Sequence, residues 1–140
     1  MNDHYENSML IVVGIDLALH ELRYADIHDF TAVVLSYWDF VRAPAVIKQL
    51  YPEGLPDIEH GGVFETSLML ALYPGLVHLD KVVEHPPATF PPYEAFPVDP
   101  ARTPAAGTLS SAKTASRAKG ELILAMCVGG IAEAIRQEFP

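Results

Sequence analysis

The sequence predicts an α/β domain in which helices pack against a buried parallel sheet. Two observations lead there. Thr31-Ala-Val-Val-Leu-Ser-Tyr37 is a short, nearly continuous apolar and β-branched run, the composition of a strand buried on both faces. Around it lie segments whose apolar residues recur at helical spacing, so the order reads helix, strand, helix, loop, helix, long loop, helix. A single strand makes no sheet. Its partners must come from another chain or from a part of the domain missing here.

In Met9 to Leu22 the apolar positions Met9, Val12, Val13, Ile15, Ala18, Leu19 and Leu22 oppose Asp16, His20, Glu21 and Arg23, which predicts an amphipathic helix. The strand Thr31–Tyr37 follows. Pro44, pre-organised for a first helical turn, opens a short helix ending near Leu50. Tyr51 to His60 holds Pro52, Gly54 and Pro56 and reads as a loop. Phe64 to Tyr73 is apolar on most sides and stops before Pro74-Gly75, as a buried helix would. Leu76 to Asp80 is left as a short strand or an extended turn. Seven of the twelve prolines fall between Pro86 and Pro104, so that stretch is an extended surface loop. Ser110 or Ser111 can cap a long helix running through Gln137, with apolar positions Ala115, Ala118, Leu122, Met126 and Ile135. Within it Gly129-Gly130 either weakens or bends the helix, or lets another element pack close.

Composition narrows the function. With 140 residues, half of them apolar, there is material for one core. A formal charge of −9 argues against a nucleic-acid partner, because no Lys/Arg surplus exists to displace counterions from phosphates. The longest apolar run, Leu122 to Val128, is far short of the ~20 residues that span a bilayer. Cys127 stands alone, which fits a reducing compartment, and no basic n-region precedes Arg23; the chain reads as cytoplasmic. Cys127 itself reads as a small core residue.

Three clusters can carry chemistry. In His4-Tyr5-Glu6, imidazole and carboxylate are one residue apart; in extended backbone they point the same way and can ligate one metal or two adjacent ones. On spacing alone the stronger reading is that Asp3-x-x-Glu6 is a capping box at a helix start, with His4 exposed near the terminus. In Asp57-Ile-Glu-His60-Gly-Gly-Val-Phe-Glu65, a histidine meets a carboxylate at a helix entrance, a plausible proton shuttle. The same residues also suit an ordinary helix start, with a first-turn Glu favoured by the dipole. Trp38, at the end of the strand, lies where α/β proteins place their ligand crevice, and also suits an amphipathic core position. His20, His28, His78 and His85 show no ligand spacing.

Taken together, Asn2-Asp-His-Tyr-Glu-Asn7, Ser36-Tyr-Trp-Asp39, His60-Gly-Gly-Val-Phe-Glu-Thr-Ser67, His85-Pro-Pro-Ala-Thr-Phe-Pro-Pro and Thr108-Leu-Ser-Ser-Ala-Lys-Thr-Ala-Ser116 resemble the C-terminal part of the creatininase (creatinine amidohydrolase) family over nearly the whole chain. The resemblance implies a three-layer α/β/α fold with much of the parallel sheet missing, residues 1–140 forming the C-terminal part of the domain, and the Pro-rich loop 86–104 lying within it. It implies a hydrolase that opens the cyclic amide of creatinine to creatine with two divalent metals, zinc or manganese, in a homo-oligomer, usually a hexamer. It matches His4 to a ligand of one metal and Glu6 to a ligand of the other. Tyr5 and Trp38 match residues lining the substrate pocket, and Asp57 an acidic residue beside the substrate. His60 matches the proton-shuttling histidine and Glu65 the carboxylate next to it.

Three departures qualify the expectation. The family's N-terminal portion, with a glutamate, a histidine and a bridging aspartate that complete the metal sites, has no counterpart here. Asp3 stands where the family has glycine, and Leu55-Pro56 where it has a second substrate-covering tryptophan. The isolated chain is therefore expected to be inactive or weakly active. Alternatives are a related amidohydrolase acting on another amide, and a non-catalytic interaction protein that completes a partner's sheet.

Overall fold

The structure, a computed structural model, describes residues 15–56, 59–93, 96–97, 99–102 and 104–140. Among the described residues there are four α-helices: α1 over residues 15–24, α2 (Pro44–Leu50), α3 (Val63–Leu72) and α4 (Arg117–Glu138). Short 3-10 turns occupy Tyr37–Val41, Pro74–Leu76, Leu79–Lys81 and Pro100–Arg102. Pro44 opens α2 as expected, and the described residues of the Pro-rich stretch are irregular apart from the turn at Pro100–Arg102. The segment left open at Leu76–Asp80 resolves into two 3-10 turns.

The predicted strand does not form. Residues 31–36 have no regular structure, and Tyr37 enters a 3-10 turn. No strand occurs among the described residues. The cause is pairing: a strand exists only through hydrogen bonds to a neighbour, and no described segment offers one. Val33, Val34 and Leu35 accordingly stay exposed. The described part of α1, which runs to residue 24 rather than ending at Leu22, is exposed too, with Ile15 and Leu17 facing solvent.

The core is where α3 and α4 cross and where Tyr37–Val41 packs on α4. Val41, Leu50, Tyr51, Val63, Ile123 and Cys127 are buried together, flanked by Tyr37, Val46, Ile47, Phe64, Leu68, Leu122, Met126 and Ile131. Cys127 is the core residue its setting suggested, its Sγ donating to the Tyr37 carbonyl at 3.2 Å. Helix α3 is less enclosed than its composition implied: Val63 and Ser67 are buried, four residues apart on one face, while Met69 and Leu72 are exposed.

Helix α4 begins later than the sequence suggested. Ser116, not Ser110 or Ser111, is the N-cap, its hydroxyl accepting the Lys119 N–H at 3.3 Å. Ser110 is buried instead, and Ala115 closes a turn onto Ala112 just before the helix. The buried stripe of α4 is Gly120, Ile123 and Cys127, beside rather than along the positions read from the sequence; Ile135 is exposed.

Of the readings offered for Gly129-Gly130, close packing holds. A Cβ on Gly130 would strike the Phe40 ring, while one on Gly129 would meet nothing within 4 Å. A Cβ on Gly120 would strike the Ser67 carbonyl, so the absence of a side chain there is what lets α3 and α4 touch. Gly120→Ala is therefore expected to destabilise the fold by about 1–3 kcal/mol, the usual range for overpacking. Gly129→Ala should stabilise it by up to ~1 kcal/mol, because alanine favours a helix interior and the space is free. Urea unfolding of the two variants checks both; equal effects would contradict the packing described.

Candidate functional site

The residues before α3 fold into a tight loop against its N-terminus. Gly61 adopts φ +65°, a left-handed conformation open to glycine, and a Cβ on it would lie 2.8 Å from the Thr108 methyl. Gly62 is the N-cap and brings no capping side chain. Two glutamates supply what it lacks. Glu59 Oε1 accepts the Phe64 N–H at 2.9 Å, and Glu65 Oε2, from the first turn, accepts the Gly61 N–H. One helix amide, Phe64, and one amide of the loop before the cap, Gly61, are thereby satisfied, and both carboxylates lie at the positive end of the helix dipole.

The second oxygen of Glu65 faces His60. Glu65 Oε1 lies 3.7 Å from His60 Nδ1, both side chains partly buried. The structure therefore brings together the histidine and carboxylate singled out in the sequence, and Glu65 serves as helix-start carboxylate and imidazole neighbour at once. The His60 carbonyl accepts the Leu109 N–H at 2.9 Å, and the Leu109 carbonyl accepts the Ala88 N–H at 2.8 Å. His85 adds to this clamp. Its Nδ1–H donates to the Pro86 carbonyl at 2.9 Å, which leaves Nε2 to accept the Thr108 hydroxyl at 2.9 Å. The start of the Pro-rich segment is thus tied to the His60 loop.

Trp38 reaches this region through other rings. It packs edge-to-face on Tyr37, with centroids 5.0 Å apart, and Tyr37 lies 5.9 Å from Phe64. Trp38 remains half exposed, as a residue presenting a ring to a ligand must be. His4, Tyr5, Glu6 and Asp57 lie outside the described residues. Among the described residues no three His, Cys, Asp or Glu side chains gather where a metal could sit. The described part of the chain thus offers an acid–base pair and an aromatic face, and does not by itself fit a metal centre. A cavity of about 490 Å³ opens on the Pro-rich segment between Val83, His85, Ala88, Arg102 and Pro104, and includes none of His60, Glu65 or Trp38.

Sequence reasoning missed Glu59, Tyr37 and Tyr51. The only signal for Glu59 was a helix start whose cap position is glycine, which must borrow its acceptor from elsewhere. Burial, with Glu65, Cys127 and Glu59 adding to it, pushes the Tyr37 phenol up to about 12. Tyr51, buried against the Glu59 carboxylate, is pushed higher for the same first reason; its hydroxyl makes no hydrogen bond of regular geometry. Both stay neutral at any physiological pH. Burial, with the nearby Glu65 charge, also raises the Glu59 carboxyl, against the opposing pull of the Phe64 N–H, Tyr51 and His60.

Because that proton is held more tightly in the folded state, the Glu59 contribution to stability is greatest below the ordinary glutamate value of ~4.3 and falls as pH rises through the raised one. Glu59→Gln, which does not titrate, should accordingly gain stability relative to the natural chain as pH rises from about 4 toward neutrality. Urea midpoints at several pH values read this directly, and the opposite slope would refute the assignment.

Comparison with known proteins fits this geometry. The family model described as Creatininase: Creatinine amidohydrolase matches residues 1–135. A creatinine amidohydrolase of Pseudomonas putida is 80% identical over 142 residues, covering 100% of this chain and 55% of the relative. A solved structure described as Creatininase Mn superposes with a TM-score of 0.84 at 80% identity, over 100% of this chain and 55% of that one. A glutamate-to-glutamine creatininase variant complexed with creatine gives the same TM-score of 0.84 and 80% identity, over 100% and 56%. A Zn-Zn type creatininase also matches at 0.84 and 80%, over 97% and 54%. The chain spans about half the length of these relatives. With a matching family model over nearly its whole length and the creatininase fold in the part it covers, the chain belongs to the creatininase family.

Proposed function

We propose that the chain carries the acid–base and substrate-facing part of a metal-dependent amidohydrolase that converts creatinine and water to creatine. The His60–Glu65 pair at the entrance of α3 is the observation that carries this reading. Imidazole and carboxylate side by side form the usual arrangement for moving a proton near neutral pH. The resemblance gives His60 the same role, at the ring nitrogen that leaves as the cyclic amide opens. Glu65 orients His60 and balances its charge when it takes up the proton, while its other oxygen is held by the Gly61 N–H. Trp38, steadied by Tyr37, presents a flat apolar face suited to a flat, cyclic amide.

In this reading Tyr5 and Asp57 line the same substrate, and the two metals of the family, zinc or manganese, fall to His4 and Glu6 together with ligands outside this sequence. The layered α/β/α arrangement belongs to the same proposal. Thr31–Ser36 becomes a strand only beside the neighbours that the longer relatives supply.

Two ligands hold a metal weakly, since catalytic sites normally use three protein ligands or more. The chain by itself should then form creatine from creatinine slowly or not at all, with manganese or zinc added. Mixing it with the portion of the Pseudomonas putida relative that it does not match should restore turnover. His60→Ala in that mixture is expected to lower kcat by about 10²–10⁴-fold, the usual worth of a positioned acid–base group. Creatine formation, followed colorimetrically, decides the matter: full activity in the His60→Ala mixture would overturn the acid–base assignment.

Leu55-Pro56, in place of the tryptophan expected there, favours a second reading in which the substrate is a related amide. Leu55 is half exposed, covering less than an indole would. A panel of cyclic and formyl amides run on the restored mixture separates the two. Trp38→Ala should raise KM more than it lowers kcat for whichever amide is the substrate.

A further inference from the structure

The buried surroundings of Glu59 hold groups that the proposed chemistry does not use. Its carboxylate occupies the place of the missing cap side chain, and a Cβ on Gly62 would lie 2.6 Å from Glu59 Oε1 and strike Ser110 Oγ. Carboxylate and serine hydroxyl therefore converge on one point above the glycine. Tyr51 and Ser110 are each more than nine-tenths buried, and neither hydroxyl makes a hydrogen bond of regular geometry. Unpaired polar groups are costly in such a setting, which makes the hydrogen bonds that do form there stronger. Ser110 Oγ and Glu59 Oε1 both face Gly62, in the loop that carries His60.

We propose that Glu59 is a positioning residue: by accepting the Phe64 N–H across the loop, it locks the His60 segment onto the first turn of α3 and so fixes the Gly61–Glu65 and His60–Glu65 contacts. The inference rests on reading His60–Glu65 as the acid–base pair. Glu59 touches neither substrate nor reacting atoms. It acts by closing a ring of contacts, in which residue 59 is bonded to residue 64 and residue 65 is bonded back to residue 61. Either bond limits the freedom of the segment that the other must hold. Gly61 and Gly62, within that segment, supply no side chain to do so.

Amide hydrogen exchange on the full 140-residue chain tests this without any substrate. In Glu59→Ala, the Phe64 amide should exchange at least about tenfold faster, the rate equivalent of one lost hydrogen bond. The Gly61 amide, which is bonded to Glu65 and not to Glu59, should accelerate by a similar factor, while the amides of Ile123 and Cys127 hold their rates. Glu59→Gln, whose amide oxygen can still accept, should stay within about threefold of the natural chain at both positions. Glu65→Ala serves as the counterpart and should release Gly61.

Acceleration at Phe64 alone would reduce Glu59 to a simple helix cap and overturn the proposal. Uniform acceleration through α3 and α4 would overturn it as well, as would equal effects of the Ala and Gln variants. If Glu59→Ala does not fold, Glu59→Asp carries the same comparison, its carboxylate being one methylene short of Phe64. A failure of the acid–base reading shows itself elsewhere, as creatine formation indifferent to His60→Ala, and leaves these exchange rates untouched.

Discussion

The close approach of α3 and α4 at Ser67 and Gly120 is the constraint on which the rest of the structure depends. Ser67 is fully buried, and its carbonyl occupies the space a side chain at Gly120 would need. Its hydroxyl accepts the Ser116 N–H at 3.1 Å, so the same residue also fixes where α4 begins. With the two helices in register, Ile123 and Cys127 close over Val63, Leu50 and Val41. Phe40 then finds room over Gly130, and Tyr37 is held by Cys127. The entrance of α3, with its histidine and glutamates, stands where it does because the far side of the helix cannot move.

On that scaffold the site is built from a shortage of capping groups. A helix start needs acceptors for its first amides, and Gly62 provides none. Glu59 supplies one from five residues before Phe64, while Glu65, in the first turn, reaches back to the amide of Gly61 in the loop. Each is thereby placed with one oxygen on the backbone, and Glu65 keeps the other for His60. The two carboxylates are close enough for Glu65 to help raise Glu59, while the helix dipole offsets part of their repulsion. Half-buried Tyr37 and buried Tyr51, both neutral, complete the enclosure. The bond that ties Glu65 to the loop also leaves its other oxygen beside His60.

Much of the site was legible because its parts are neighbours in the chain. His60, Gly61, Gly62 and Glu65 span six positions, and a helix start after two glycines folds them toward each other whatever surrounds them. Trp38 is singled out by its place after an apolar run, yet its link to α3 through Tyr37 and Phe64 joins residues far apart in sequence and has no local signature. Glu59 was passed over because, by spacing, it is one acid among several in a loop; its importance lies in burial and in a single bond to Phe64. The fold was legible in the same uneven way. Pro44 announces α2 by its own ring geometry, whereas Ser110 and Ser116 are equally good caps in isolation, and only packing chooses between them.

By itself the sequence determined the helices, the acidic balance that argues against nucleic acid, the histidine–glutamate pair and the family resemblance. These rest on local propensity, on charge and on residues near one another along the chain. Tertiary structure decided whether Thr31–Tyr37 is a strand, which serine caps α4, which face of α4 is buried and which carboxylate holds the His60 loop. The first three turn on a partner distant in sequence, namely a neighbouring strand, the Ser67 hydroxyl and the Phe40 ring, and the fourth on a bond to the Phe64 amide that spacing alone does not reveal. A strand shows this most plainly, since its hydrogen bonds all leave the segment, and no apolar run can supply its own neighbour.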